Sequence, residues 1–160
     1  MPNIAAGENE FFVVYASRYS PYDVHGAIVK NGEVWKTINI GNSYSGIKCY
    51  GIGIAYNGSG GYVVVWPDSD GNIVATLHDS NGNVVWTKQI VGDGDKNEAP
   101  AVAVDPTQKT YQFVWYDYTT GIVKTSFWTE SELIPELNLL VPAMFAAIFI
   151  PVVLKRRRKN

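Results

Sequence analysis

The chain has one cysteine, Cys49, two histidines, His25 and His78, and a single arginine before residue 156, Arg18. One cysteine rules out an intrachain disulfide, and an isolated cysteine reads as a small apolar side chain. His25, His78 and Cys49 are too few and too scattered for the ligand spacing of a zinc site. Gly51-Ile52-Gly53 lacks the third glycine and the helix of a dinucleotide loop, and neither a phosphate-binding loop nor a Gly-x-Ser-x-Gly elbow occurs. Positive charge is scarce too. Residues 1–154 carry eight Lys and Arg against fifteen Asp and Glu, a net charge of −7. A domain so acidic repels phosphate backbones, so nucleic acid is not an expected partner. Long helical periodicity is missing before residue 137, and no basic segment followed by an apolar run opens the chain, so no signal peptide is expected at Met1.

What is abundant is tyrosine, tryptophan, valine, glycine and Asn-Gly pairs, a composition that favours strands and tight turns. These residues recur with a period. Phe11-Phe12-Val13-Val14-Tyr15, Tyr62-Val63-Val64-Val65-Trp66 and Tyr111-Gln112-Phe113-Val114-Trp115 are one strand three times over, their last aromatics 51 and 49 residues apart. A short apolar strand precedes each: Ile4-Ala5, Ile54-Ala55 and Val102-Ala103. A hairpin follows. In the middle repeat it runs from Asn72 to His78, turns through Asp79-Ser80-Asn81-Gly82 and returns from Asn83 to Ile90. Asn-Gly supplies the two positive φ angles of a type I′ turn, and Asn31-Gly32 does the same between Val24–Val29 and Glu33–Lys36. The third repeat reaches Gly121 to Trp128 and lacks its fourth strand.

Four short antiparallel strands in about fifty residues is the length of a β-propeller blade. The expected fold is therefore all-β, with about three four-stranded antiparallel repeats over residues 1–130. The recurring aromatics, Trp35 and Trp86 among them at a 51-residue interval, are expected to pack one sheet on the next. A sugar-binding platform would use the same residue types.

Tyr62-Val63-Val64-Val65-Trp66-Pro67-Asp68, then Ile73 to Trp86, then Ala99-Pro100-Ala101-Val102-Ala103-Val104-Asp105-Pro106 resemble the repeats of secreted propeller-like proteins. The resemblance covers Pro2 to about Trp128 and implies a fold, with no single activity attached. Leu77 to Trp86 is also similar to the turn of quinoprotein propellers, although His78 and the missing Ala-Leu-Asp triplet depart from it. Sialidase-type propellers hold a carboxylate substrate with several arginines, and Arg18 stands alone here. Propellers close with roughly four to eight blades, so three repeats leave an incomplete ring. A chain that enters a repeat directly at Pro2-Asn3-Ile4-Ala5 is expected to be the C-terminal part of a longer surface protein. Closure of a partial propeller by self-association and a compact, merely repetitive sandwich are the rival expectations.

Beyond a linker at 131–136, Leu137 to Leu154 is uncharged and about 27 Å long as a helix, near the roughly 30 Å core of a bilayer. Lys155, Arg156, Arg157, Arg158 and Lys159 follow, a block retained on the cytoplasmic side. A single transmembrane helix over 137–154 is expected, with a basic cytoplasmic tail at 155–160 and the β domain outside. Pro135-Glu136-Leu137 and the basic cluster resemble the Pro-Glu-Phe sorting tails of archaeal surface proteins, with Leu137 in place of the Phe. That resemblance implies an anchored archaeal surface protein and an archaeosortase-type processing enzyme.

Ligand chemistry is thin. Asp93, Asp95 and Asn97 place oxygens at alternate positions as a Ca²⁺ loop does, but Glu98 stands where such a loop needs glycine and Val104 where it needs glutamate. Asp68-Ser69-Asp70-Gly71-Asn72 is shorter still, and turn chemistry accounts for both segments. Asn57-Gly58-Ser59 is a glycosylation sequon and equally a turn. No residue pair marks a catalytic site and no cofactor is expected. The function expected is that of a non-enzymatic surface module, structural or adhesive, whose partners are the bilayer, surface proteins or glycans. The alternative is the membrane-attached end of an extracellular propeller enzyme, of hydrolase or quinoprotein type, with its active site on other blades.

Overall fold

The computed structural model of the chain describes residues 2–17, 23–43, 51–92 and 96–133. Among them are eleven strands in three antiparallel sheets. Sheet 1 is β1 (Asn3–Ala6), β2 (Phe11–Ala16), β3 (Asp23–Lys30) and β4 (Glu33–Asn42). Sheet 2 is β5 (Gly53–Tyr56), β6 (Gly61–Pro67), β7 (Ile73–Asp79) and β8 (Val84–Val91). Sheet 3 is β9 (Asn97–Asp105), β10 (Thr110–Asp117) and β11 (Ile122–Thr129), closed by a one-turn helix, α1 (Glu130–Leu133). Every sheet is a meander in chain order, and the third ends after three strands as its sequence implies. The described residues form three sheets in series, not a compact repetitive sandwich.

Strand side chains alternate between faces, and cross-strand partners share one. Tyr62, Val64 and Trp66 of β6 therefore point back to sheet 1, where they meet Phe12, Val14, Val24 and Ile28 in one core. Val63 and Val65 point forward and join Tyr111, Phe113 and Trp115 of β10 in a second core, together with Trp86 and Leu133. All seven residues of β6 are buried, so sheet 2 is sandwiched on both sides. That explains its near-continuous apolar run, the pattern of a strand covered on both faces.

The first strands β1, β5 and β9 lie side by side along the inner edge of the stack. Gly53 permits this: a Cβ there would stand 2.9 Å from the Ala101 backbone. The three edges line an open groove of about 370 Å³ between Asn3, Ile52 and Pro100.

Two expectations about local geometry need correction. The hairpin at Asn31-Gly32 does have both residues at positive φ, 53° and 81°, as a type I′ turn requires. At the Asn81-Gly82 turn of sheet 2 only Gly82 is positive, at 78°, and its N–H donates to the Asp79 carbonyl at 2.9 Å. Asp79 accounts for the difference, because its carboxylate takes the N–H groups of Asn81 and Asn83 and holds a wider loop. Trp35 and Trp86, moreover, do not occupy equivalent places. Trp86 pairs with Leu77 and is buried, whereas Lys36 takes the matching place opposite Ile28. Trp35 is the extra residue of a bulge and is 52% exposed. One residue of slip turns a strand side chain to the other face.

No helix among the described residues is long and apolar enough to cross a membrane. The expected span 137–154 and the basic residues Lys155, Arg156, Arg157, Arg158 and Lys159 lie outside the described residues.

Candidate interaction surfaces

Four aspartates are engaged by the turns in which they stand. Asp68 accepts from the N–H groups of Asp70 and Asn72 at 2.9 and 3.0 Å and from the Asn72 amide at 3.0 Å. Asp79 repeats the arrangement with Asn81 and Asn83. Asp105 takes the N–H groups of Thr107 and Gln108, and Asp117 those of Thr119 and Thr120. Such side chains fold their own loops. Asp117 also accepts from Lys124 at 2.7 Å, and this partner, with the Thr120 hydroxyl, holds its carboxyl far below the ordinary carboxylate range.

Asp93 and Asp95 lie outside the described residues. Asn97 is fully buried, and its N–H and its amide nitrogen both donate to the Gly71 carbonyl, at 3.2 and 3.0 Å. It ties sheet 3 to a turn of sheet 2. Among the described residues, no three His, Cys, Asp or Glu side chains gather around a point where a metal ion would fit.

Asn57, the sequon residue, is only 9% exposed. Its amide oxygen accepts from Ser59 and Gly61 at 2.9 and 2.8 Å, and its side chain also bonds the Tyr111 hydroxyl of sheet 3. One interface earlier, the Tyr62 hydroxyl donates to the Glu10 carboxylate at 2.8 Å. Burial and the neighbouring Glu10 charge push the Tyr62 phenol well above its usual range. Each inter-sheet contact thus includes a tie from a loop of one sheet to the first tyrosine of the next. The sequence displays the repeated tyrosine, but not the loop partners Glu10 and Asn57, which differ in chemistry from repeat to repeat.

His78 is another feature missed from sequence. It is fully buried against Phe12, ring centroids 5.6 Å apart, and burial lowers its pKa. A carbonyl can only accept, so Nδ1 carries the proton toward Gly82 at 3.4 Å and Nε2 accepts from the Thr76 hydroxyl at 2.9 Å.

The exposed aromatics occupy two settings. At the hairpin ends, Trp35 lies with the Lys30 ammonium 4.0 Å from its ring centroid, and Tyr118, 63% exposed, meets Tyr116 edge to face. On the two ends of the stack, apolar side chains stand uncovered. Ile4, Phe11, Val34 and Tyr15 are exposed on sheet 1, and Val123, Phe127 and Tyr116 on sheet 3.

No protein-family profile and no curated protein matches the chain. Among solved structures it is similar to the Aleuria aurantia lectin AAL, an N224Q mutant in complex with Fucalpha1-6GlcNAc, with a TM-score of 0.50 at 16% identity. That lectin has a β-propeller fold, and the likeness is one of fold. The match takes in 82% of this chain and 46% of the lectin, so the chain spans about half of that protein's length.

Proposed function

We propose that this chain is a non-enzymatic, membrane-anchored surface module that binds, with glycans as its ligand class. The observation that carries the reading is the combination of a lectin-like stack of sheets with carboxylates committed to turns. Asp68, Asp79, Asp105 and Asp117 each hold two backbone N–H groups of their own loop. Acids so engaged are poor proton donors or nucleophiles, since catalysis needs a group free to reach substrate. The rim aromatics Trp35 and Tyr118 offer the flat apolar faces on which a sugar ring stacks. The uncharged run Leu137–Leu154 and the five cations after it supply the anchor, and the positive-inside rule puts the sheets outside.

The test of binding is a glycan array probed with the full chain in detergent. Saturable retention is expected on a subset of neutral glycans. Trp35→Ala or Tyr118→Ala should weaken it about tenfold, on the order of 1.4 kcal/mol. Uniform absence of retention would remove the glycan reading. Display is tested separately by protease treatment of intact cells. Loss of the β domain without lysis is expected, and protection until lysis would place it on the wrong side of the membrane.

A further inference from the structure

We infer that two copies of this chain close head to tail into a single ring, the open face of sheet 3 in each packing on the open face of sheet 1 in the other. The contact between sheets is already built twice. Tyr62, Val64 and Trp66 bury against the sheet before them, and Tyr111, Phe113 and Trp115 do the same. Phe11, Val13 and Tyr15 hold those positions in sheet 1, where Phe11 is 49% and Tyr15 36% exposed. On the forward side, Phe12 with Val14 and Val63 with Val65 are fully buried. Their counterparts in sheet 3 are Gln112 and Val114, on the same face as Tyr116, Val123 and Phe127 through strand pairing. An exposed apolar patch of this kind marks an interaction surface, and here its shape and side chains continue an interface the molecule already uses.

The polar groups point to the same occupant. At both internal contacts a loop of one sheet bonds the hydroxyl of the next sheet's first tyrosine, Glu10 to Tyr62 and Asn57 to Tyr111. Where sheet 3 would meet sheet 1, the tyrosine is replaced by Phe11, which needs no partner. The loop that would face it is folded on Asp105, whose oxygen is taken by Thr107 and Gln108. Gln112, polar where the repeat has Phe12 and Val63, spends its amide within its own sheet on Thr125 and on the Ser126 carbonyl. Closure of these faces therefore strands none of these polar groups, which is the main cost of burying polar surface.

Size fits two copies. This three-sheet unit overlays 46% of the lectin chain, and twice that is 92% of it. Unlike faces brought together by a rotation make a ring when the rotation closes.

The experiment is sedimentation velocity and native mass spectrometry of the full chain in detergent, including protein isolated from its own cells. A species of twice 17.7 kDa is expected. Phe11→Glu and Phe127→Glu, on opposite ends, should each weaken dimerisation at least about tenfold. Symmetric pairing of like faces would be disturbed by one of them and not the other, so a single effective variant overturns the proposal. A monomeric wild-type chain, an open-ended ladder of oligomers, or an isolated protein longer than this chain and monomeric would overturn it as well. Near-UV circular dichroism of Trp86 and Trp115 reports folding. Where an aromatic variant unfolds, Val34→Lys and Val123→Lys, at side chains 63% and 73% exposed, give the same two-sided test.

Discussion

His78 is a titratable side chain placed wholly inside an interface between two sheets, and its environment dictates a pH response. In the unfolded chain an imidazole takes up a proton near pH 6.5, whereas burial makes the folded His78 hold off until a lower pH. Between those values the unfolded state binds more protons, so stability is full above about pH 6.5 and falls as the pH drops below it. Urea midpoints for wild type and His78→Gln between pH 5 and 8 check this, with a downward slope expected for wild type and a flatter line for the variant. Asp79 and Glu132, whose carboxyls are held below their ordinary values, lose their contributions only as the pH falls through the more acid carboxylate range. Tyr62→Phe removes a single oxygen and leaves the buried Glu10 without its phenol donor. Its expected cost is about 1–3 kcal/mol in chemical denaturation. None of this was legible in the chain itself, because a histidine or glutamate in a strand pattern does not reveal which neighbouring sheet will cover it.

The elements themselves were legible. Alternating apolar residues, Asn-Gly turns and a fifty-residue period locate all three sheets among the described residues, because each feature depends on neighbours along the chain. The errors came where one residue decides a face or a turn. Trp35 and Trp86 match in sequence spacing, yet Trp35 is the extra residue of its bulge and exposed, while Trp86 sits in register opposite Leu77 and is buried, Val85 taking the bulge. Asn81-Gly82 looks like Asn31-Gly32, yet the Asp79 carboxylate selects another turn. These differences carry a comparison. Gly32 and Gly82 both sit at positive φ, but a Cβ on Gly32 meets nothing within 4 Å, while one on Gly82 comes to 3.0 Å from Ile28 of sheet 1. Gly32→Ala is expected to cost about 1–2 kcal/mol from backbone strain alone, and Gly82→Ala to exceed it. Equal melting shifts would show that the Gly82 loop does not pack on sheet 1.

For the whole molecule, the proposed reading of a displayed module draws on the acidic composition before residue 155, the apolar run Leu137–Leu154 and the five cations behind it. The repeat explains why the middle sheet is covered on both faces and the outer two on one. It also predicts that the uncovered faces are used. Hydroxyl-radical footprinting of the full chain reads this most directly, because oxidation rates report side-chain access at single residues. Phe11, Tyr15 and Phe127 should be protected in the assembled protein and lose that protection on dilution, while Trp35 and Tyr118 label rapidly at every concentration. Phe11 and Phe127 labelling as fast as Trp35 and Tyr118, with no dependence on concentration, would contradict it.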